Sequence, residues 1–502
     1  MANRHNPKGR QKSQRTRGAA VSRPLSSDQQ VREPHYKSLF VLFFISGSLL
    51  RILLCWSNPP GNFFDNHFEP ILLIMKTGAI PGKNDCWQCF HPPVFYWISA
   101  MAGHAATHLG IASLPRLLKF FQFVVCFYGI LTLVILYLIL NKLPLSNFSR
   151  LLAFGTACFL PRHIYMSAIN SNDTISYLFV ALSIYLLLVA IEKKFPFFLL
   201  LSVSIVISAT LFTKYTSFVV LPVVLIVFVS LVHKRLFASP KQAFLSFVLM
   251  IVVPVTILSA NLIWNKKHYG SSLPWNVSRS DPSLIQPRDT EHFDFLTFKP
   301  WESIDRPIIV PRRMHSFWTL VYTGMWFDNE PKFLYFLVAN QSWWDHYYGW
   351  LRGEEKFPEG SPTMSNPTKV LGAGLTAFGL FPLLLMARGF VNFFSRSWRS
   401  QMSVEEMVKM SIFPTLLVSN MAVMIALAVR LPVYTAAKAS YFLNSLPAFA
   451  VFLSLGLMVC ENSKHLKWTV VIAFSFLFCL ASVHVLHIVL SILVLKPANL
   501  LG

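Results

Sequence analysis

Charged residues are scarce in this sequence. They make up 13% of the 502 residues, whereas ordinary soluble domains carry about a quarter. This scarcity, together with a hydrophobic fraction of 54%, excludes an ordinary soluble enzyme. Seven cysteines in so long a chain also exclude a disulfide scaffold. The long apolar segments instead predict a polytopic membrane protein.

Acidic residues are few as well, with 22 Asp and Glu against 44 Lys and Arg. Residues 1–37 hold nine of the basic residues but only two acids, and they directly precede the first apolar segment. A nucleic-acid-binding arm is one interpretation of this composition. The positive-inside rule favours another, a disordered basic tail that keeps the N-terminus in the cytoplasm. No cleavable signal peptide is visible.

Twelve apolar segments predict an all-α protein with about 11–13 transmembrane helices. They lie at 38–56, 93–109, 117–140, 149–168, 174–191, 197–213, 215–232, 243–263, 368–387, 408–429, 439–460 and 468–495. We expect an N-terminal module, 38–263, and C-terminal helices, 368–502. Strict alternation across the membrane places the junction 169–173 on the cytoplasmic side, unless one segment between 93 and 168 does not cross.

The polar stretch 264–367 separates the two groups of helices and holds eight of the 13 Trp residues. Because Trp favours the membrane–water interface, we expect a surface region with short amphipathic helices, such as 314–327, that packs over a site. One cluster in it comprises Trp343, Trp344, Asp345, His346 and Tyr347. It suits a sugar platform, although interfacial anchoring is the commoner role of such aromatics.

The first polar loop, 57–92, is predicted to lie outside, in the lumen or periplasm. Its candidate functional residues are Asp65, His67, Glu69, Asp85 and His91. Residues 66–77 can form a helix along the interface. Asp65 then serves either as the N-cap of that helix or as a general base at the membrane surface. His91 is either a polar cap or a donor to a phosphate or sugar.

The loop also contains Cys86 and Cys89, two residues before His91. These three side chains fall short of the four ligands of a structural zinc site. A disulfide and two free thiols are the other interpretations, and all three stay open at this point.

Several cations lie within or between apolar segments, where charge is costly and often functional. Arg162 needs a partner, and Asp173 is a candidate for that role. Asp173 is also placed to cap the helix that it precedes. Lys214 either contacts a phosphate or snorkels to the interface. Arg430 and Lys438 are further candidates for phosphate contact, or anchors of the topology.

These residues resemble motifs of the dolichyl-phosphate-mannose:protein O-mannosyltransferases. The matching positions are Asp65-x-His67-Phe68, Lys76-x-Gly78, His91-Pro92-Pro93, Arg162 to Tyr165, Asn170, Asp173-Thr174, Thr213-Lys214-Tyr215, and Lys438 to Pro447 with Tyr441. The resemblance covers 38–265 and that late patch. It extends to the wider GT-C membrane glycosyltransferases, including bacterial aminoarabinose transferases and RgtA-like enzymes. Asn66 replaces a family Glu, and the MIR module is missing, which indicates a GT-C relative and not an orthologous protein O-mannosyltransferase. The compact form without the MIR module favours a bacterial plasma membrane over the endoplasmic reticulum.

The resemblance implies a GT-C fold and transfer of a sugar from a polyprenyl-phosphate donor to a hydroxyl of a protein, lipid or glycan, with inversion. It implies Asp65 as general base. The substrate-binding residues it implies are His67, Glu69, His91, Arg162, Asp173, Lys214, Lys438 and Tyr441. It implies no cofactor, metal or nucleic acid. A secondary transporter or flippase, or a scaffold without catalysis, are the competing interpretations.

Overall fold

A computed structural model of the chain describes residues 27–60, 67–274, 293–305, 316–327, 333–339, 342–343, 345–346, 363–398, 402–430 and 437–495. Within these ranges the protein is helical, apart from two isolated β-bridges. The helices are α1 (Ser27–Ser57), α2 (Phe68–Thr77), α3 (Val94–His108), α4 (Leu114–Asn141), α5 (Asn147–Phe159), α6 (Pro161–Ser167), α7 (Asn172–Glu192), α8 (Phe197–Leu211), α9 (Val220–His233), α10 (Pro240–Phe247), α11 (Val253–Tyr269), α12 (Glu302–Asp305), α13 (Phe317–Trp326), α14 (Leu334–Leu337), α15 (Asn366–Trp398), α16 (Val404–Arg430), α17 (Ala439–Phe442), α18 (Leu446–Cys460) and α19 (Lys464–Leu495). The predicted all-α class is confirmed.

Nine helical stretches in the described ranges are long and apolar enough to cross a bilayer. They are Tyr36–Ser57, Leu114–Asn141, Asn172–Glu192, Tyr215–His233, Pro240–Tyr269, Asn366–Ser395, Val404–Arg430, Ala439–Cys460 and Lys464–Leu495. A 3-10 turn, Tyr215–Val219, opens the stretch that contains α9, and a π-helical turn, Val248–Val252, joins α10 to α11. The remaining three predicted spans form shorter helices, namely α3, the pair α5 and α6, and α8.

The predicted span 149–168 is broken in its middle. α5 ends at Phe159 and α6 begins at Pro161. Proline lacks the N–H that would continue α5 and forces the preceding residue out of the helical region. Leu160 is accordingly extended, with ψ of 112°.

The predicted span 93–109 does not cross the bilayer, and this corrects the expected topology. α3 has 15 residues, as many as α8, so the contacts at its two ends and not its length decide whether it crosses. Its first residue, Val94, donates to the Phe212 carbonyl, 3.1 Å away, at the end of α8. Near the start of α4, Lys119 reaches the Asn58 carbonyl beyond the end of α1, at 2.6 Å. Both ends of α3 therefore lead to the same end of the bundle.

The junction 169–173 lies at that same end, beside loop 57–92. The His67 N–H donates to the Asn170 carbonyl, 3.4 Å away. The cytoplasmic placement expected from strict alternation is therefore wrong relative to this loop, because one segment too many was counted as crossing. We call this end of the bundle the first-loop face and the other end the opposite face.

Polar contacts between helix ends define the opposite face. Lys142 pairs with Glu192 at 2.8 Å, and Lys194 pairs with Glu405 at 3.0 Å. Such exposed pairs contribute at most about 1 kcal/mol each. They show, however, which ends of α4, α7 and α16 lie together.

α1 begins at Ser27, so residues 27–37 of the predicted disordered tail are helical. The apolar span nucleates a helix that continues into residues with adequate helix propensity. Residues 1–26 lie outside the described ranges. The disordered character of that part of the tail stays a prediction.

α2 forms within the predicted range 66–77 and packs against α3 and α4. Phe68, Ile71 and Ile74 are buried on its inner side. Gly78 ends the helix in the left-handed conformation, with φ of +69°, a backbone state that glycine adopts without strain.

α15 and α18 touch through their backbones. A Cβ atom on Gly389 would lie 1.8 Å from the Phe452 carbonyl oxygen, and one on Gly456 would lie 1.9 Å from the Leu385 oxygen. Only glycine permits this approach at either position. α18 and α7 form the most buried part of the bundle.

Candidate active site

A buried ion pair lies at the first-loop face. Lys214 Nζ is 2.7 Å from Asp173 Oδ1, and the two side chains are 6% and 1% exposed. Asp173 occupies the first turn of α7, but Ser171 supplies the cap, its hydroxyl accepting from the Asp173 N–H. The same hydroxyl bonds the Asp173 carboxylate at 3.0 Å. Lys214 therefore does not snorkel to solvent, and Asp173 anchors a buried cation.

Tyr441 covers this pair from the C-terminal part of the chain. Lys214 Nζ lies 5.0 Å from the centroid of its ring, within the range of a cation–π contact. The neighbouring Ser440 carbonyl accepts a hydrogen bond from Tyr177 of α7, at 2.8 Å. Three predicted site residues, far apart in sequence, are thereby brought together: Asp173, Lys214 and Tyr441.

Two further predicted residues, His67 and His91, stack on each other with ring centroids 5.5 Å apart. His67 is buried, and its Nδ1 lies 2.7 Å from the hydroxyl of Tyr96. That hydroxyl also donates to the Gln88 carbonyl at 3.3 Å. Because the His67 N–H bonds Asn170, three residues before Asp173, the histidine pair adjoins the loop that carries the ion pair.

Lys119 fixes the start of the segment that contains Asp65. Its ammonium donates to the carbonyls of Cys55 at 2.8 Å and of Asn58 at 2.6 Å. A lysine in this position satisfies terminal carbonyls and complements the helix dipole. Lys119 was not among the predicted site residues, although it lies just inside the apolar segment 117–140 and no acid is close to it in sequence. Asp65 itself lies in residues 61–66, outside the described ranges.

Arg162 is fully buried and holds the Trp-rich region to α6. Its Nε donates to the Gly324 carbonyl at 2.5 Å, and its Nη2 donates to the Phe327 carbonyl at 3.3 Å. These carbonyls lie at the end of α13. Asp173, offered as its partner by the sequence, pairs with Lys214. α13 falls within the amphipathic helix expected at 314–327, but most of its residues are buried, so it packs into the bundle.

The structure does not gather the other candidates into one place. Glu69 is exposed on α2, and Arg430 is exposed at the end of α16. Lys438 is half-buried and precedes α17, three residues before Tyr441.

The aromatic cluster of the Trp-rich region is only partly described. Trp343 is buried, whereas Asp345 and His346 are exposed. Trp344 and Tyr347 lie outside the described residues. A sugar platform at this cluster stays a prediction.

Another buried cation, Arg51, was not among the predicted site residues. Its guanidinium donates to the carbonyls of Gly47 (2.7 Å), Cys158 (2.8 Å) and Ala157 (3.2 Å). It also lies 2.6 Å from His163 Nδ1. Two of these carbonyls belong to the last turn of α5, which ends early because of Pro161. Arg51 therefore satisfies acceptors that the helix break leaves without intrahelical partners.

Cys86 and Cys89 form a disulfide. The disulfide is therefore the one of the three interpretations that the structure confirms. Within the described ranges, no group of three or more His, Cys, Asp or Glu side chains is arranged to hold a metal ion.

An apolar cavity of about 550 Å³ lies next to α17. Its walls come from α5, α13, α15, α16 and α18 and include Trp326, Phe390 and Phe449. Phe442, which follows Tyr441, also lines it. One short helix therefore contributes both to the cover of the ion pair and to the wall of the cavity.

Comparisons with known proteins show which family and which solved structures this chain is similar to. A family model described as dolichyl-phosphate-mannose-protein mannosyltransferase matches residues 117–269. A solved oligosaccharyltransferase from Archaeoglobus fulgidus, tethered to an acceptor peptide, superposes with a TM-score of 0.50 at 12% identity, over 90% of this chain and 55% of that one. The fold is that of the GT-C membrane glycosyltransferases. The predicted resemblance is thus confirmed.

Other solved structures with a GT-C fold are similar at lower scores. AglB from Archaeoglobus fulgidus, in complex with an inhibitory peptide and a dolichol-phosphate, has a TM-score of 0.49 at 13% identity, over 90% of this chain and 56% of that one. ArnT from Cupriavidus metallidurans, bound to undecaprenyl phosphate, has a TM-score of 0.32 at 11% identity, over 83% and 77%. The chain spans about half the length of the oligosaccharyltransferases it matches. A comparison with curated protein sequences gives no significant match.

Proposed function

We propose that the chain is an integral membrane glycosyltransferase. It moves a sugar, a mannose-like hexose or a similar one, from a polyprenyl-phosphate donor to a hydroxyl acceptor on a protein, lipid or glycan. The observation that carries this proposal is the buried Asp173–Lys214 pair beneath Tyr441. Both charged residues lie within the region that the mannosyltransferase family model matches.

The proposed chemistry needs a cation more than an acid. A phosphate already leaves readily, so the enzyme mainly has to stabilise the negative charge that develops on it. Lys214 is held in a water-poor site, where a charge–charge interaction is far stronger than in water. Asp173 keeps it charged and oriented there. We assign Lys214 as the main phosphate contact, with the half-buried Lys438 as a second cation near the same ring.

The lipid part of the donor needs an apolar site beside that phosphate. The cavity lined by Phe442 meets this need, because it begins one residue from Tyr441. A polyprenyl chain bound there leaves its phosphate at the end of the cavity nearest to Lys214.

We propose Asp65 as the general base that removes the proton of the acceptor hydroxyl, so that displacement inverts the sugar carbon. Asp65→Asn is expected to lower transfer of radiolabelled sugar from polyprenyl-phosphate donors, measured in membranes, by at least about a hundredfold. The matched control is Glu192→Gln, a carboxylate-to-amide change at an exposed position of α7 on the opposite face. Normal transfer by Asp65→Asn would reject the base, and no transfer by the folded wild type would reject the function.

The active-site face is proposed to lie outside the cytoplasm. At the opposite face, basic residues occur in the short connections, namely Lys142, Lys193, Lys194, Lys234 and Arg235, and in the first turn of α19, namely Lys464 and Lys467. At the first-loop face, the short connections 168–171 and 212–214 carry one, Lys214, which is buried in its pair with Asp173. The positive-inside rule then places the opposite face and the N-terminus in the cytoplasm. Of the two membranes considered, we propose the bacterial plasma membrane.

Tyr96 is proposed to orient His67. A carbonyl only accepts, so the Tyr96 hydroxyl donates to Gln88 and accepts from His67 Nδ1, which leaves Nε2 as the basic nitrogen. Tyr96→Phe is expected to lower transfer about tenfold. Tyr128→Phe, in the same apolar cluster, is the control. Equal transfer by Tyr96→Phe and Tyr128→Phe would mean that the Tyr96 hydroxyl only packs.

A further inference from the structure

A groove at the opposite face lies far from the proposed active site. It has a volume of about 520 Å³ and is walled by α9, α15 and α16. His233 and Lys234 stand at its mouth, where α9 ends. Lys214 and Lys234 lie at the two ends of one membrane-spanning stretch, roughly 30 Å apart by helical rise. The groove is therefore a separate site.

A row of hydroxyls runs from the mouth into the membrane. Ser411, Thr415 and Ser419 line the groove at four-residue spacing, which places them on one side of α16, and Ser230 lines it from α9. The Ser411 and Thr415 hydroxyls each donate to a carbonyl of their own helix, at 2.8 Å. Hydroxyls of this kind can turn to an external partner, because the carbonyls keep their helical hydrogen bonds.

The side of the groove that faces the bilayer is apolar and open. Ile226, Phe394 and Val418 line it, and they are 42%, 48% and 58% exposed. The surrounding medium there is the bilayer, so lipid chains have direct access to these side chains.

The charge around the mouth is positive. Two acids, Glu405 and Glu406, lie in the first turn of α16, and Glu405 is shared by Lys194 and Lys409. Lys234 and Arg235 directly follow the end of α9. Among the described residues, neither forms an ion pair like those of Glu405. Basic pockets at membrane helix ends attract anionic headgroups.

We propose that this groove binds an anionic phospholipid from the leaflet at the opposite face. Its phosphate lies between Lys234 and His233, its ester oxygens accept from the hydroxyl row, and one acyl chain follows Ile226, Phe394 and Val418. The proposal rests on charge complementarity and on the lining of the groove, which combines a basic mouth with hydroxyls and exposed apolar side chains along the membrane-spanning helices. It does not depend on the proposed transferase activity.

The test is native mass spectrometry of the full-length protein in detergent, with phosphatidylglycerol or phosphatidylcholine carrying identical acyl chains. We expect the wild type to retain phosphatidylglycerol preferentially and Lys234→Ala to lower its retention at least about tenfold. A lysine that contributes only to the general surface field is worth about fivefold. Lys241→Ala is the control, because Lys241 is exposed on the same face but does not line the groove.

A second variant keeps the test independent of charge. Thr415→Val preserves the shape of the side chain and removes its hydroxyl. It should lower retention of the lipid both in the otherwise wild-type protein and in the Lys234→Ala variant. Equal losses in Lys234→Ala and Lys241→Ala, or equal retention of both phospholipids, would overturn the proposal in favour of unspecific lipid association. Stronger retention of a polyprenyl phosphate would overturn the choice of ligand.

Discussion

Replacing Lys214 with methionine is expected to abolish sugar transfer and to lower the free energy of unfolding by about 3–5 kcal/mol. The methionine leaves Asp173 as a buried carboxylate without its cation, 1% exposed in the folded protein. Loss of one partner of a buried pair is far costlier than loss of an exposed one. Thermal unfolding in detergent measures the loss of stability, and radiolabelled transfer measures the loss of function.

The double variant Asp173→Asn with Lys214→Met separates these two losses. It removes both charges from the site, so we expect much of the lost stability to return. Transfer should not return, because the proposed phosphate contact is still missing. A double variant that recovers stability and transfers sugar would show that Lys214 only neutralises Asp173, and the assignment of the phosphate contact would then fail.

Replacing Arg51 with methionine should lower the free energy of unfolding by about 3–5 kcal/mol, with little soluble protein recovered in detergent. The variant leaves the Ala157 and Cys158 carbonyls buried at the end of α5, where Pro161 prevents intrahelical bonds. Each buried acceptor without a partner costs about 1–3 kcal/mol. Denaturation followed by circular dichroism measures the effect.

The control is Arg150→Met. Arg150 is half-buried at the opposite face and donates to the side-chain oxygens of Asn141 and Asn147, which can turn to water instead. We expect a cost below about 1 kcal/mol for this variant. Comparable losses in both variants would mean that Arg51 stabilises the protein through its apolar stem and not through the carbonyls.

The class of the fold was predictable from composition and apolar segments, but the path of the chain was not. Segment 93–109 has the hydropathy of a span, yet α3 lies at one end of the bundle because α2 and α4 cover it there. Hydropathy reports burial in an apolar medium and does not distinguish lipid from protein. The contact between His67 and Asn170, which sets the topology, joins two distant parts of the chain.

The types of site residue were also predictable, whereas their partners were not. Lys214 was predicted as a site residue because it lies alone between apolar segments. For the same reason, no neighbouring residue in the sequence indicated its partner. Asp173 was offered to Arg162, which is the nearer cation in sequence. The structure pairs it with Lys214, because α7 and the turn after α8 meet at the first-loop face. Distance along the chain carries little information about partners once helices pack side by side.

The contact between Gly389 and Gly456 restricts how a lipid could reach the apolar cavity. At this contact the backbones of α15 and α18 touch, because a carbonyl of each helix packs against a glycine of the other. No side chain lies between them that could change rotamer, so the two helices move together or stay in place. Elsewhere the cavity is lined by large side chains, such as Trp326, Met421 and Phe390, which can change rotamer. A lipid that enters from the bilayer therefore has to pass such side chains, because the contact between Gly389 and Gly456 offers no gap that a rotamer change could open.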